Sequence, residues 1–278
     1  MRGRPFLRAF LFLSIPLLPT VARAEAWPRE TGQLYAYFGA TTFSSSTIYD
    51  VAGNKGPFPG RSFKESGDNS YLELGLSERF TFVGTIPRRK VKAEGLFNDF
   101  TSQGLADLDV RLRYSIPIRE GLFAAVEGGA FVPLGYDRQD FPELGSGHTD
   151  ALVNGSLGLS LPFLPQGFLN ADVGYRFRGG EIANEIPYAL KVGAFPHPRV
   201  GVFLFARGWK STADFSRVAE TAGFLVSDSE RLSAGGELYL KVSRHFDVNG
   251  AWSHVVAGRN VLAGDTFMLG VAFHAKLF

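Results

Sequence analysis

From Asp107 to Tyr114 the chain alternates without a slip. Asp107, Asp109, Arg111 and Arg113 fall on one face of an extended strand; Leu108, Val110, Leu112 and Tyr114 fall on the other. Successive side chains of a strand point to opposite faces, so this period of two identifies a β-strand. One face is strongly charged and the other carries no charge. Two environments fit such a strand. It can be half-buried in a soluble sheet, or it can separate hydrocarbon from a wet lumen in a transmembrane barrel.

The rest of the chain repeats the pattern. Strands are expected over residues 33–42, 70–76, 80–87, 105–116, 122–132, 149–161, 168–178, 186–195, 200–210, 231–242, 246–256 and 266–278. Residues 168–178 are the second clean case, with Leu169, Ala171, Val173, Tyr175 and Phe177 opposite Asn170, Asp172, Gly174, Arg176 and Arg178. Most of these segments reach the ~9–11 residues that a tilted membrane-spanning strand needs. The connections alternate in length. Long polar loops are expected at 43–69, 88–103, 134–147 and 211–229, a medium loop at 179–185, a loop around 258–264, and short turns at 77–79, 117–121, 163–167, 196–198 and 243–245. Outer-membrane barrels have short periplasmic turns and long outer loops, and an even strand number puts both termini at the short-turn end.

Charge decides between the two environments. The faces read as outward carry almost none, with Lys210 and His254 as exceptions near loop ends. The faces read as inward collect Glu73, Asp107, Asp109, Arg111, Arg113, Glu127, Asp172, Arg176, Arg178, Lys191, Arg207, Glu237, Lys241 and Lys276. A dry soluble core would carry heavy desolvation costs for so many charges, whereas a wet lumen carries them cheaply. An Arg or Lys facing mid-bilayer lipid costs ~2–4 kcal/mol. The reading is an all-β, transmembrane, antiparallel up-and-down β-barrel of about twelve strands.

Residues 1–24 read as a cleavable signal peptide. Arg2, Arg4 and Arg8 form its basic start, residues 9–18 its apolar centre, and Ala22-Arg23-Ala24 its cleavage site, with a cut after Ala26 as the second choice. The barrel domain then occupies residues 25–278. The apolar centre falls short of the ~20 residues of a spanning helix. The formal charge of the whole chain is +2; without Arg2, Arg4, Arg8 and Arg23, 25 basic side chains face 27 acidic ones. Charge therefore gives no case for nucleic-acid binding. There is no cysteine, hence no disulfide framework and no lipidated anchor.

The chain ends in Phe278. A terminal aromatic resembles the signal that outer-membrane barrels present to the barrel-assembly machinery. Here the apolar face of the last strand (Phe267, Leu269, Val271, Phe273, Leu277) has the other parity, so either a bulge shifts the register or Phe278 points inward.

Several phrases resemble a known family, the outer-membrane proteins named for the meta-pathway of phenol degradation. They are residues 71–76 (Tyr-Leu-Glu-Leu-Gly-Leu) followed by Glu78-Arg79, residues 104–108 (Gly-Leu-Ala-Asp-Leu), residues 133–137 (Pro-Leu-Gly-Tyr-Asp), residues 145–150 (Gly-Ser-Gly-His-Thr-Asp) and residues 174–180 (Gly-Tyr-Arg-Phe-Arg-Gly-Gly). They lie in order between about Gly32 and Trp209. His148 stands where glutamine is usual, and Leu105-Ala106 where the family tends to carry glycine. The resemblance implies an outer-membrane barrel that passes hydrophobic or aromatic compounds.

Catalytic chemistry finds little footing. The histidines are His148, His197, His245, His254 and His274. His254 alone is expected outward near the outer rim, beside Ser253, but adjacent strand residues point apart and a nucleophile needs its base within hydrogen-bond reach. No spacing matches a metal site; Asp137, Asp140 and Glu143 share one loop, where a solvated loop is the plainer account. Gly145-Ser146-Gly147 lacks the following helix of a phosphate loop. The inward charges Glu73, Asp107, Asp109, Arg111, Arg113, Glu127, Asp172, Arg176, Arg178, Arg207, Glu237 and Lys241 admit two readings. They form a selectivity constriction, or they pair across strands and fill the lumen. Phe123, Phe131, Phe203 and Phe205 are expected to line an apolar path. The expectation is a non-enzymatic, cofactor-free passive channel in outer-membrane lipid. The alternatives are a plugged structural or adhesion barrel and a lipid hydrolase.

Overall fold

The computed structural model describes residues 26–137, 140–216 and 228–278. The expected signal peptide and parts of two outer loops lie outside these residues. The strands are β1 (Gln33–Ser45), β2 (Thr47–Tyr49), β3 (Lys55–Pro57), β4 (Ser62–Gly75), β5 (Phe80–Glu94), β6 (Asp99–Leu105), β7 (Asp107–Arg119), β8 (Leu122–Pro133), β9 (Asp150–Leu161), β10 (Gly167–Phe177), β11 (Glu185–His197), β12 (Val200–Ser211), β13 (Glu230–Lys241), β14 (Phe246–Arg259), β15 (Val261–Leu262) and β16 (Asp265–Lys276).

Every neighbouring pair is antiparallel, and β1 pairs with both β4 and β16, which closes the sheet into a barrel of twelve strands. β6 and β7 together act as one of the twelve. β5 pairs with β7 as far as Thr85–Asp109 and with β6 from Arg88–Leu105 upward. Pro87 lies at the break. It has no N–H to donate, and its carbonyl accepts from Ala106 N at 2.9 Å. The strand opposite carries one residue more than β5 here. This bulge flips the parity between Leu105 and Leu108 and bends the wall. β2, β3 and β15 form a separate small sheet among the outer loops.

The outward faces are apolar. Leu112, Leu157, Leu204, Leu238, Phe267 and Leu269 are all 45–64% exposed. A contiguous apolar belt of this kind is stable only against hydrocarbon. Inside, the polarity reverses: Glu73, Arg113, Glu127, Asp150, Asn170 and Asp247 are buried. The fold is that of an outer-membrane β-barrel.

Three expected loops are corrected. Residues 43–69 contain β2, β3 and the first half of β4, residues 88–103 contain the upper half of β5 and most of β6, and residues 258–264 contain the end of β14 and all of β15. Above the belt the outward positions meet water and carry charge, while the inward Phe63, Val91 and Ala93 pack beneath the outer loops, so the apolar-outward alternation of the belt disappears while the ladder of hydrogen bonds continues. Residues 196–197, expected in a turn, close β11. In β16, Phe267, Leu269 and Val271 do face outward, and the strand ends at Lys276 with Phe278 exposed beyond it.

Candidate functional site: the barrel lumen

At its short-turn end the lumen holds the segment that precedes β1. Residues 26–32 turn into the barrel before β1 begins. Ala26 N donates to Asn170 Oδ1 at 3.2 Å. Trp27 packs against Phe123 and Phe168, with ring centroids 5.8 and 6.3 Å away. It completes a floor cluster of Phe168, Phe195, Phe203 and Tyr239. A Cβ on Gly158 would lie 2.4 Å from the Trp27 ring, so that wall position admits only glycine while Trp27 is seated. Arg29 is buried and pairs with Glu73 through its Nε, and its backbone N–H donates to Thr81 Oγ1 at 3.3 Å. The sequence reading missed this segment. Trp27 and Arg29, just ahead of the first strand, were the available signal, since neither a large aromatic nor an arginine is needed in a plain linker.

Above the floor one wall is filled by an ion-pair ladder. Glu73 meets Arg113 at 3.1 Å and accepts from Tyr71 Oη at 2.6 Å. Arg113 Nε reaches Glu127 at 3.0 Å, Arg111 Nη1 reaches Glu127 at 2.6 Å, and Arg111 Nε reaches Asp109 at 3.0 Å. These side chains come from β4, β7 and β8; β7 and β8 are neighbours and β5 lies between β4 and β7, so the inward alternation stacks opposite charges along this part of the wall, with Arg113 reaching past β5 to Glu73. Arg111, Arg113 and Glu127 line neither of the cavities described next; they fill the wall.

Two cavities are stacked in the remaining space. The upper holds about 510 Å³ and the lower about 410 Å³. Thr41, Asn69, Arg207 and Thr266 border both. They mark the neck where the cavities meet, and Asn69 Nδ2 donates to Thr41 Oγ1 there at 3.2 Å. The lower cavity is lined by Glu73, Asp172, Glu237, Lys191 and Phe205. Glu237 is held by Lys191 at 2.9 Å and by Asn249 at 2.7 Å, and Asp172 accepts from Asn170 at 2.6 Å. Lys241 sits in the last position of β13, opposite Asp247, and lines neither cavity.

Charges of both signs line each side of the upper cavity. Glu65, Asp107, Asp109 and Arg89 line the β4–β7 side, where Arg89 reaches Glu65 at 3.4 Å; Arg176, Arg178, Arg207, Arg231 and Glu185 line the β10–β13 side, where arginines are in excess. Arg176 and Arg178 reach Asp150 at 2.6 and 3.1 Å, and both approach Glu185. Aromatic faces support the arginines: Arg176 lies 4.1 Å over Phe131, Arg207 5.1 Å over Phe205, and Arg231 5.7 Å from both Phe43 and Trp209.

The outer mouth is narrowed by the β8–β9 loop. Asp107 anchors it, accepting from Tyr136 Oη at 2.5 Å and Ser146 N at 2.8 Å; Tyr136 Oη in turn accepts from Gly147 N at 2.7 Å. Gly145-Ser146-Gly147 is thus a tight loop seated on a carboxylate. Burial and the bond to Asp107 push the Tyr136 phenol well above its ordinary pKa. Leu144 is buried with Phe58, Phe63, Val91, Ala93 and Leu262. Glu143 borders the upper cavity, its Oε2 has no hydrogen-bond partner among the described residues, and burial pushes its carboxyl pKa up. The loop acids do not converge: Asp140 accepts from Asp137 N at 3.3 Å while Glu143 faces the cavity. Among the described residues no group of three or more His, Cys, Asp or Glu is placed to hold a metal ion.

Ser253 and His254 lie on opposite faces. Ser253 is buried and borders the lower cavity. His254 Nδ1 contacts Asp265 at 3.1 Å, and Trp252 Nε1 donates to the same carboxylate at 3.0 Å. His274 is inward, as expected, bonded to Asp247 and 5.0 Å from the Tyr35 ring.

Solved structures share this architecture. An outer membrane channel from Pseudomonas putida F1 superposes with a TM-score of 0.71 at 13% identity, over 92% of this chain and 100% of that one. The NanC porin gives 0.54 at 10% identity, over 86% and 98%. The translocator domain of the autotransporter NalP from Neisseria meningitidis gives 0.50 at 12% identity, over 88% and 89%. No protein family matches the chain by sequence, and no curated protein sequence matches it either. At these identities the likeness is one of fold.

Proposed function

We propose that the chain is a passive channel of a bacterial outer membrane, carrying small hydrophobic or aromatic solutes and catalysing no reaction. The observation that carries this reading is the pair of stacked cavities, about 510 and 410 Å³, inside a closed barrel with an apolar outer wall. A barrel that served only as a scaffold would have no need to keep this space. The aromatic floor and the rings of Phe131, Phe205 and Trp209 support an aromatic or amphipathic solute. The mixed charges that line the upper cavity, with arginines in excess on the β10–β13 side, support discrimination among dipolar or charged ones. The fold shared with the Pseudomonas putida channel and the phrases resembling the phenol meta-pathway family support the same class. The opposed directions of Ser253 and His254 support a protein without hydrolase activity.

Seated as it is, the N-terminal segment makes the described conformation a closed state, so conduction requires residues 26–32 to shift. Phe278 would serve as the contact for the barrel-assembly machinery during insertion.

The test is reconstitution of the mature chain. Planar bilayers should show discrete conductance steps, and liposomes should take up small aromatic solutes faster than empty vesicles do. A folded, inserted barrel that neither conducts nor admits any solute, even with residues 26–32 deleted, refutes the channel reading and leaves a structural barrel.

A further inference from the structure

The outer wall carries a feature that transport through the lumen does not use. On β5 the outward positions above Ile86 are Arg88, Lys90, Lys92 and Glu94, and the matching positions on β4 are Asp68, Ser66, Lys64 and Ser62. Their inward neighbours Phe63, Val91 and Ala93 are buried, which fixes the direction of the others. Ile86 and Leu105, each 44% exposed, end the apolar belt on this side. Arg88 is paired in register with Leu105, so it stands at the belt's upper edge, and Lys90 stands one step above it.

Of the acids on this face, Glu94 and Asp99 are committed elsewhere, and Asp68 makes no ion pair among the described residues. Glu94 takes Lys92 at 2.9 Å and Lys64 at 3.5 Å, while Asp99 takes Arg61 at 2.8 Å and Lys92 at 3.2 Å. These pairs sit toward the hairpin tip. Arg88 and Lys90 are exposed and have no ion-pair partner among the described residues, although Asp68 lies opposite Arg88 in the register. Two cations are therefore presented side by side where hydrocarbon gives way to headgroups. A guanidinium forks onto phosphate oxygens, and a lysine reaches its ammonium along an apolar surface to the interface.

We propose that the outer wall of β4 and β5 binds the phosphate groups of a lipid in the outer leaflet through Arg88 and Lys90, with Lys64 and Lys92 at its margin. The proposal rests on the placement of this barrel in an outer membrane with its long loops outward. It does not require the lumen to conduct.

The experiment is native mass spectrometry of the full mature chain in detergent with bisphosphorylated lipid A, with its dephosphorylated form as the comparison. Wild type should retain the bisphosphorylated lipid preferentially, and Arg88→Gln/Lys90→Gln should lower occupancy about 10- to 30-fold. Arg88→Lys/Lys90→Arg should keep most of it. Equal retention of the two lipids, equal retention by wild type and the double glutamine variant, or full displacement by inorganic phosphate at equal concentration each overturns the proposal. Heat-modifiable gel mobility verifies folding; if the double variant does not fold, the single variants decide, each expected to lose about five-fold. Conductance of the same preparations is a separate readout. Its absence in wild type would count against the channel while leaving the lipid result standing.

Discussion

Replacing Trp27 with alanine tests how the lumen is closed. The indole sits over Gly158 and against Phe123 and Phe168. Truncating a packed aromatic side chain costs about 3–5 kcal/mol. The other restraints on the segment are the Ala26–Asn170 bond, the Arg29–Thr81 bond and the Arg29–Glu73 pair. They work against the ordering of residues 26–32, which costs about 1–2 kcal/mol per residue. The two sides are of similar size, so the seated segment is held by a small margin, and losing Trp27 exceeds it. A loss of about 3–5 kcal/mol is a shift of roughly 10²- to 10⁴-fold toward the released segment. The assay is single-channel recording, with wild type, Trp27→Ala and a deletion of residues 26–32 in parallel. Trp27→Ala should approach the deletion in mean conductance, and wild type should lie well below both. If Trp27→Ala folds and conducts like wild type while the deletion conducts more, Trp27 is not what holds the segment. If all three are alike, the segment is not the obstruction.

Other outcomes follow from the lumen and the outer loop. Glu73→Gln leaves Arg29 and Arg113 without their shared carboxylate, a loss of about 3–5 kcal/mol for a broken buried pair; the folded band on heat-modifiable gels should disappear at a lower temperature. Asp107→Ala removes the acceptor for Tyr136 Oη and Ser146 N, at about 1.5–3 kcal/mol per bond to a charged group, so protease should cut residues 134–149 faster in reconstituted protein. Burial raises the Glu143 carboxyl above its unfolded value, so its contribution to seating the loop is fully present below the ordinary carboxylate range and is lost as the pH rises through the raised value. Conductance should therefore rise with pH over that interval in wild type and be flat in Glu143→Gln; a matching rise in the variant would locate the titrating group elsewhere.

Much of the barrel was legible in single strands. The residues from Asp107 to Tyr114 gave their strand, its two faces and the inward ladder, because the membrane demands apolar side chains on one side and tolerates charge on the other. Where that demand stops, the signal stops: the upper parts of β4 and β5 and most of β6 read as loop, since the outward face there meets water and no longer has to be apolar. The bulge at Pro87 was equally invisible, because it depends on what the neighbouring strand offers at that height.

The sequence by itself determined a closed, lipid-facing cylinder with charged side chains inside, since no other arrangement satisfies strands of this polarity. It did not determine how that interior divides. Arg111, Arg113 and Glu127 fill a wall while Arg176, Arg178 and Arg207 border open space, and residues of the same type and parity are told apart only by which strands stand beside and across from them. The placement of Trp27 in the floor and of Leu144 in the mouth was decided in the same way. Both occupy their sites because distant strands meet there and leave a cavity of the right shape, and no local pattern in the chain encodes that meeting.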